Sequence, residues 1–171
     1  MARISRVVAS GYRNHVTQRS VRSIPIFQTD SNRKAYLDFM AEELNRFGVD
    51  VPAWCLMTNH SHLIVVPKDS AVLARAIGEA HRRYTRMKNF SDGVRGYLFQ
   101  GRFGSCILAE RHLLAAARYV ELNPVHAGMV RGCGLSVVQC SVSSWCESRR
   151  RIGQRQKPIG TGRRLERIPQ G

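Results

Sequence analysis

Between Val51 and Val66 the chain reads VPAWCLM, then Thr58-Asn59, then HSHLIVV, two strongly apolar runs with only two residues between them. Runs of this length, closed by turn residues, read as buried strands rather than helices. Thr58-Asn59 is a short turn, and the second strand ends at Pro67. Whatever else the chain does, it must build a sheet around this pair.

The flanking segments say which sheet. Gly11 to Arg19 (GYRNHVTQR) alternates loosely and reads as a first strand. Tyr36, Phe39, Met40, Leu44 and Phe47 then recur at helical spacing, with Thr29, Asp30 or Ser31 as cap and Gly48 as stop. After the strand pair, Leu73, Ala76, Ile77, Ala80, Tyr84 and Met87 draw the apolar stripe of a helix from about Ala71 to Lys88. The segment GYLFQGRFGSCIL reads as one bent strand or two short ones. A third helix is expected from Glu110 to about Leu122, with Leu113, Ala117 and Val120 facing the core and Pro124 ending it. The order β-α-β-β-α-β-α predicts an α+β fold of the ferredoxin-like or RRM-like kind. Its antiparallel sheet has helices packed on one face, and a further helix closes the domain. Residues 1–131 form this domain. Residues 132–171 lose the periodicity and become basic and Gly- and Pro-bearing, which predicts a flexible tail.

Charge narrows the partners. Twenty-seven Lys and Arg stand against twelve Asp and Glu, giving +15. Residues 1–130 hold 18 cationic and 10 acidic side chains, so the domain is basic without its tail. That balance points to a polyanion, since cationic side chains that neutralise phosphates release condensed counterions. No basic amphipathic segment favours a membrane surface, and no run reaches transmembrane length. Five cysteines without CxxC spacing fit a reducing compartment, and the cytoplasm is the expected location. Cys55 and Cys106 lie in apolar runs and are expected in the core.

Two short patterns carry chemistry. In His60-Ser61-His62 the period of a strand puts both imidazoles on one face, where neutral rings are suited to one divalent ion. In Tyr119-Val-Glu-Leu-Asn123 the helical period sets the phenol and the amide on one flank, and an amide oxygen suits a hard ion such as Mg²⁺ or Mn²⁺. Tyr84, within HRRYTRMK, is the rival tyrosine, expected to pack by its ring with its hydroxyl exposed.

The two patterns in this order, with WCLMTNHSHLIVVP, LFQGRFGSCIL, RYVELNPVHAGMV, HVTQR and YLDFMAEELNRFGVDVPAW around them, resemble the REP-associated tyrosine transposases. These are single-tyrosine HUH enzymes related to the smallest insertion-sequence transposases. The likeness spans about residues 3–131. It departs after NPVHAGMV, where a Trp-Ser-Ser-Tyr segment is usual and this chain has SSWC followed by arginines. The resemblance implies a metal-dependent endonuclease and strand transferase acting on single-stranded, hairpin-forming palindromic DNA. Tyr119 would be the nucleophile forming a 5′-phosphotyrosine, and His60, His62 and Asn123 the ligands of Mg²⁺ or Mn²⁺. It also implies a monomer, with a homodimer exchanging the tyrosine helix as the alternative.

Arg13, His15, Arg19, Arg82, Arg83, Arg86, Lys88, Arg102, Arg111 and Arg118 are the candidate DNA contacts, with Phe103 beside Arg102 placed to stack on a base. Three other readings are open. A catalytically silent hairpin-binding module would keep the fold and lose turnover. An RNA-binding domain is disfavoured because His60 and His62 stand where stacking rings are needed. A zinc hydrolase lacks a third ligand at convincing spacing.

Overall fold

The computed structural model describes residues 7–126, Gly128 and Cys140–Ser141. Its elements run β1 (Asn14–Arg19), α1 (Asp30–Arg46), β2 (Val49–Leu56), β3 (His60–Pro67), α2 (Ser70–Asp92), β4 (Gly104–Ile107), α3 (Glu110–His126) and β5 (Cys140–Ser141). The sheet order is β4-β1-β3-β2-β5, and every neighbouring pair is antiparallel. The first six elements follow the expected ferredoxin-like course. The chain is thus an α+β fold with helices packed on an antiparallel sheet.

The hairpin closes as its sequence demands. Met57 N–H donates to His60 C=O at 2.9 Å across Thr58-Asn59. β3 is flanked by β1 and β2, which makes it the central strand and explains its nearly unbroken burial. Thr29 caps α1 by accepting from Asn32 N–H, the second residue of the three offered as caps being the first helical one. α2 overruns its expected end at Lys88 and stops only at Gly93, whose φ of 66° is the left-handed cap that glycine favours. α3 also runs past Pro124 to His126. A proline in the last turn removes one backbone donor without stopping the turns around it.

The core has two compartments. α1 and α2 cover one face of the sheet, where Tyr36, Leu44, Leu73, Ile77 and Tyr84 meet Val16, Leu63 and Val65. α3 covers the other, where Val120 and Ala116 meet Ala53, Cys55, Met57 and Ile64. The side chains of Leu113 and Ala117, the other members of the predicted stripe, lie outside the described residues. β5 falls in the segment assigned to the tail and extends the β2 edge by two residues; the rest of 132–171 lies outside the described set.

Two expectations about apolar residues are corrected. Cys106 is exposed rather than buried, because β4 is a short edge strand. Phe103 is 5% exposed and belongs to the helix-side core, so it is not available to stack on a base.

Candidate active site

On β3, His60 and His62 point to the α3 face, with Ser61 turned to the other side, where its hydroxyl meets that of Tyr36 at 3.1 Å. The antiparallel register sets Arg19 opposite His60 and Thr17 opposite His62, and places His15 one pair further along. Alternation along β1 therefore brings His15, Thr17 and Arg19 to the same face as the two histidines. Gly104 of β4 sits opposite Thr17, and a Cβ there would lie 3.0 Å from Thr17 Oγ1, so glycine permits the close approach of this edge.

Tyr119 reaches this row from α3. Its ring is edge-on to His62 with centroids 5.7 Å apart and edge-on to His15 at 6.4 Å. The ring is half exposed. Asn123 follows one turn later on the same helix flank. The rings of His60 and His62 are 5.0 Å apart. The structure thus brings together the phenol and the paired imidazoles that the sequence placed more than fifty residues apart.

The ring nitrogens are engaged on one side only. His60 Nδ1 lies 2.6 Å from Asn59 Oδ1, an atom that can only accept, so His60 Nδ1 carries the proton and Nε2 carries a lone pair. Asn59 is itself held, since its amide donates to Ser23 C=O at 3.2 Å. That carbonyl belongs to a stretch in which both Arg22 and Ser23 have positive φ, 51° and 55°. Strain of this kind persists where surrounding contacts over-determine it. His62 Nδ1 lies 3.1 Å from His15 Nε2, and the two rings stack with centroids 5.3 Å apart. His62 Nε2 is buried with no hydrogen-bond partner among the described residues, and the same holds for Asn123 Nδ2.

Burial sets the protonation. His62 is held down at about 4, first by desolvation and then by the charges of His15, His60 and Arg19. His60 is lowered by desolvation and by Arg19, and His15 by desolvation. All three are neutral near pH 7, and neutral imidazole is the form that ligates metals. A ring whose Nδ1–H is fixed by an oxygen or nitrogen partner, leaving Nε2 open, is the arrangement found around protein-bound metals. The donor set therefore fits a divalent ion held by His60 Nε2 and His62 Nε2, with the Asn123 amide one helical turn beyond Tyr119. Among the described residues no group of three or more His, Cys, Asp and Glu forms a metal cage.

The other candidates divide by face. Arg19 is exposed and stands opposite His60, Arg13 is half-buried just before β1, and Arg111 and Arg118 are exposed on α3. Arg82, Arg83, Arg86 and Lys88 are on α2, which covers the opposite face of the sheet. Lys88 is corrected as a phosphate contact, because it is 5% exposed and its ammonium is bound by both carboxylate oxygens of Asp92. Arg83 is clasped by Glu42 and Glu43 and lies over the Phe39 ring, and Arg82 pairs with Glu79. Arg102 is exposed at the rim of the loop before β4. Tyr84 is corrected too: its hydroxyl is buried and donates to Ile26 C=O at 2.6 Å. Sequence reasoning missed Asn59 as the brace of His60, and it took His15 for a DNA contact where the structure has it stacked on His62. The adjacency of Asn59 to the His-x-His pattern was the available signal.

Comparison with known proteins agrees with this architecture. The chain is similar to the solved structure of a REP-associated tyrosine transposase bound to a REP hairpin, with 16% identity and a TM-score of 0.61 over 98% of this chain and 95% of that one. It is also similar to a candidate transposase of Deinococcus radiodurans R1, with 14% identity and a TM-score of 0.50 over 70% of this chain and 95% of that one. At such identities the likeness is one of fold. No curated protein matches. Among the described residues no helix is long and apolar enough to cross a membrane. Residues 7–123 match the model of the family described as IS200-like transposases, and the chain belongs to that family.

Proposed function

We propose that the chain is a metal-dependent single-strand DNA endonuclease and strand transferase acting on hairpin-forming palindromic repeats through a 5′-phosphotyrosine at Tyr119. The observation that carries this reading is the half-exposed Tyr119 ring set edge-on against His62, whose Nε2 is buried and unpartnered among the described residues. Membership in a transposase family and the hairpin bound by the structural relative support the DNA class.

His60 and His62 would hold Mg²⁺ or Mn²⁺ through their Nε2 atoms, with Asn123 as third donor. When bound, the ion supplies Lewis-acid polarisation of the scissile phosphate. Asn59 and His15 keep the two rings turned toward it. Two neutral imidazoles and an amide leave a dication's charge to be balanced by the substrate, which favours a phosphate over a neutral group. Arg19, standing opposite His60, would take a flanking phosphate, and Arg13, Arg111 and Arg118 would extend that contact along the strand.

Tyr119 Oη forms the bond to phosphorus as the bond from phosphorus to the 3′ oxygen breaks. The phenol gives up a proton and the departing 3′ oxygen takes one up. The phosphodiester energy stays in the tyrosine ester, so an incoming 3′-hydroxyl reverses the step and joins strands without a nucleotide cofactor. The half-exposed ring can follow the phosphate; Tyr84, sealed under Ile26, cannot.

The test is a denaturing-gel assay for a covalent adduct on labelled hairpin DNA with Mn²⁺. Wild type and Tyr84→Phe are expected to form it. Tyr119→Phe and wild type in excess chelator are expected to form none. An adduct that survives Tyr119→Phe refutes the assignment, and hairpin binding without any adduct leaves a catalytically silent DNA-binding protein.

A further inference from the structure

The sheet face away from Tyr119 carries a cavity that the tyrosine site does not use. It has a volume of about 280 Å³ and lies between α2 and the loop leading into β4, walled by Gln18, His81, Thr85, Tyr97, Phe99 and Arg102. Its size is at the small end for ligand sites and suits a single planar ring system.

Gln18 is 4% exposed. Its amide nitrogen donates to Arg19 C=O at 3.1 Å and to Gln100 C=O at 3.4 Å. Its Oε1 is buried and meets no hydrogen-bond donor among the described residues. A buried acceptor left open in a cavity wall is costly unless something from outside supplies the proton. The second wall is flat and aromatic, with His81 stacked on Phe99 at 4.1 Å between centroids. Tyr97 supplies a third element, a large ring 91% exposed. Solvent-facing aromatics beside basic side chains are the stacking platforms of single-strand binders.

We propose that this cavity takes one unpaired nucleobase of the DNA strand, stacked on Tyr97, with a ring N–H or exocyclic amine donating to Gln18 Oε1. Given a single-stranded substrate, as proposed for the tyrosine site, a base held here sets the strand's register from the far side of the sheet. Base reading and cleavage then occupy opposite faces. The acceptor selects for bases with a donor on the presented edge, and an abasic nucleotide offers neither the donor nor the stacking face.

The test uses the full chain and short fluorescein-labelled single strands, oligo(dT), oligo(dC), oligo(dA) and an abasic strand of equal length, at one salt concentration. Wild type is expected to bind the base-bearing strands about tenfold tighter than the abasic one. Tyr97→Ala, an exposed change that does not threaten folding, is expected to erase that difference and leave abasic binding unchanged. Gln18→Leu, checked by thermal melting, is expected to alter the ranking among the three bases. Equal binding of base-bearing and abasic strands overturns the proposal, as does a base dependence that survives Tyr97→Ala. Formation of the Tyr119 adduct on hairpin DNA reads the other proposal separately: an adduct without base dependence removes the cavity alone, whereas no binding to these strands and no adduct on the hairpin removes both.

Discussion

Tyr84 and Tyr119 stand on helices that cover opposite faces of one sheet. Tyr84 is fully buried and its hydroxyl is spent on the Ile26 carbonyl; Tyr119 is half exposed and rests on an imidazole. The contrast extends to their neighbours. On the α1 and α2 side Lys88 has Asp92, Arg83 has Glu42 and Glu43, and Tyr36 has Ser61 and His81. On the α3 side His62 Nε2 and Asn123 Nδ2 are buried without a donor or acceptor among the described residues, as is Gln18 Oε1 in the cavity wall of the other side. A polar group that is met within the fold is part of the fold, whereas one that is buried and left open costs stability and signals a ligand. Density of charge along the sequence does not separate the two.

Substitutions on each side should break or sharpen that distinction. The largest effect is expected from His62→Leu, which removes an open nitrogen and a proposed ligand. Adduct formation should fall about a thousandfold, roughly 4 kcal/mol of transition-state stabilisation, while the melting temperature holds or rises. A large loss of stability would show that His62 is structural. Next, His15→Phe keeps a ring against His62 but deletes the hydrogen bond to Nδ1. Mn²⁺ affinity by titration calorimetry should weaken about 10- to 100-fold, as for other groups that orient a ligating histidine; unchanged affinity would mean that packing alone orients His62. Tyr84→Phe is the counterpart on the helix side. It should cost about 1 kcal/mol in denaturant unfolding and leave the adduct rate per folded molecule unchanged.

The mildest effect is on acid stability. His62 binds its proton at about 4 in the folded protein, against about 6.5 for a free side chain. Between those values the unfolded chain holds the extra proton, so this contribution is complete above pH 6.5 and is lost as pH falls toward 4. The difference in melting temperature between wild type and His62→Leu should therefore change across that window and be flat on either side. A difference that is flat throughout would mean His62 is not shielded.

The sequence carried the parts of this molecule that local rules determine. The Thr58-Asn59 reversal, the Thr29 cap, the helix stripes and the shared face of His60 and His62 all follow from period and turn chemistry. Tyr119 on a helix after the fourth strand was legible only as a pattern, and its approach to His62 needs the fold. What stayed hidden depends on partners distant in sequence. Nothing local to HRRYTRMK says that Arg83 will find Glu42 and Glu43 on another helix, or that Ile26 will cover the Tyr84 hydroxyl. Phe103 and Cys106 swapped their expected environments for a similar reason. Strand order decides which residue meets the core and which lies on an edge, and that order is set by pairings far along the chain.

The two strands that bracket α3 in the chain lie on opposite margins of the sheet, β4 at one and β5 at the other. The polypeptide must therefore cross the whole width of the sheet between Ile107 and Cys140, the span that contains the helix bearing Tyr119. Among the described residues, its second fastening is two residues of ladder, Trp54 with Ser141 and Cys55 with Cys140. A chain lending this helix to a second copy would have to unzip that short ladder or lend it as well.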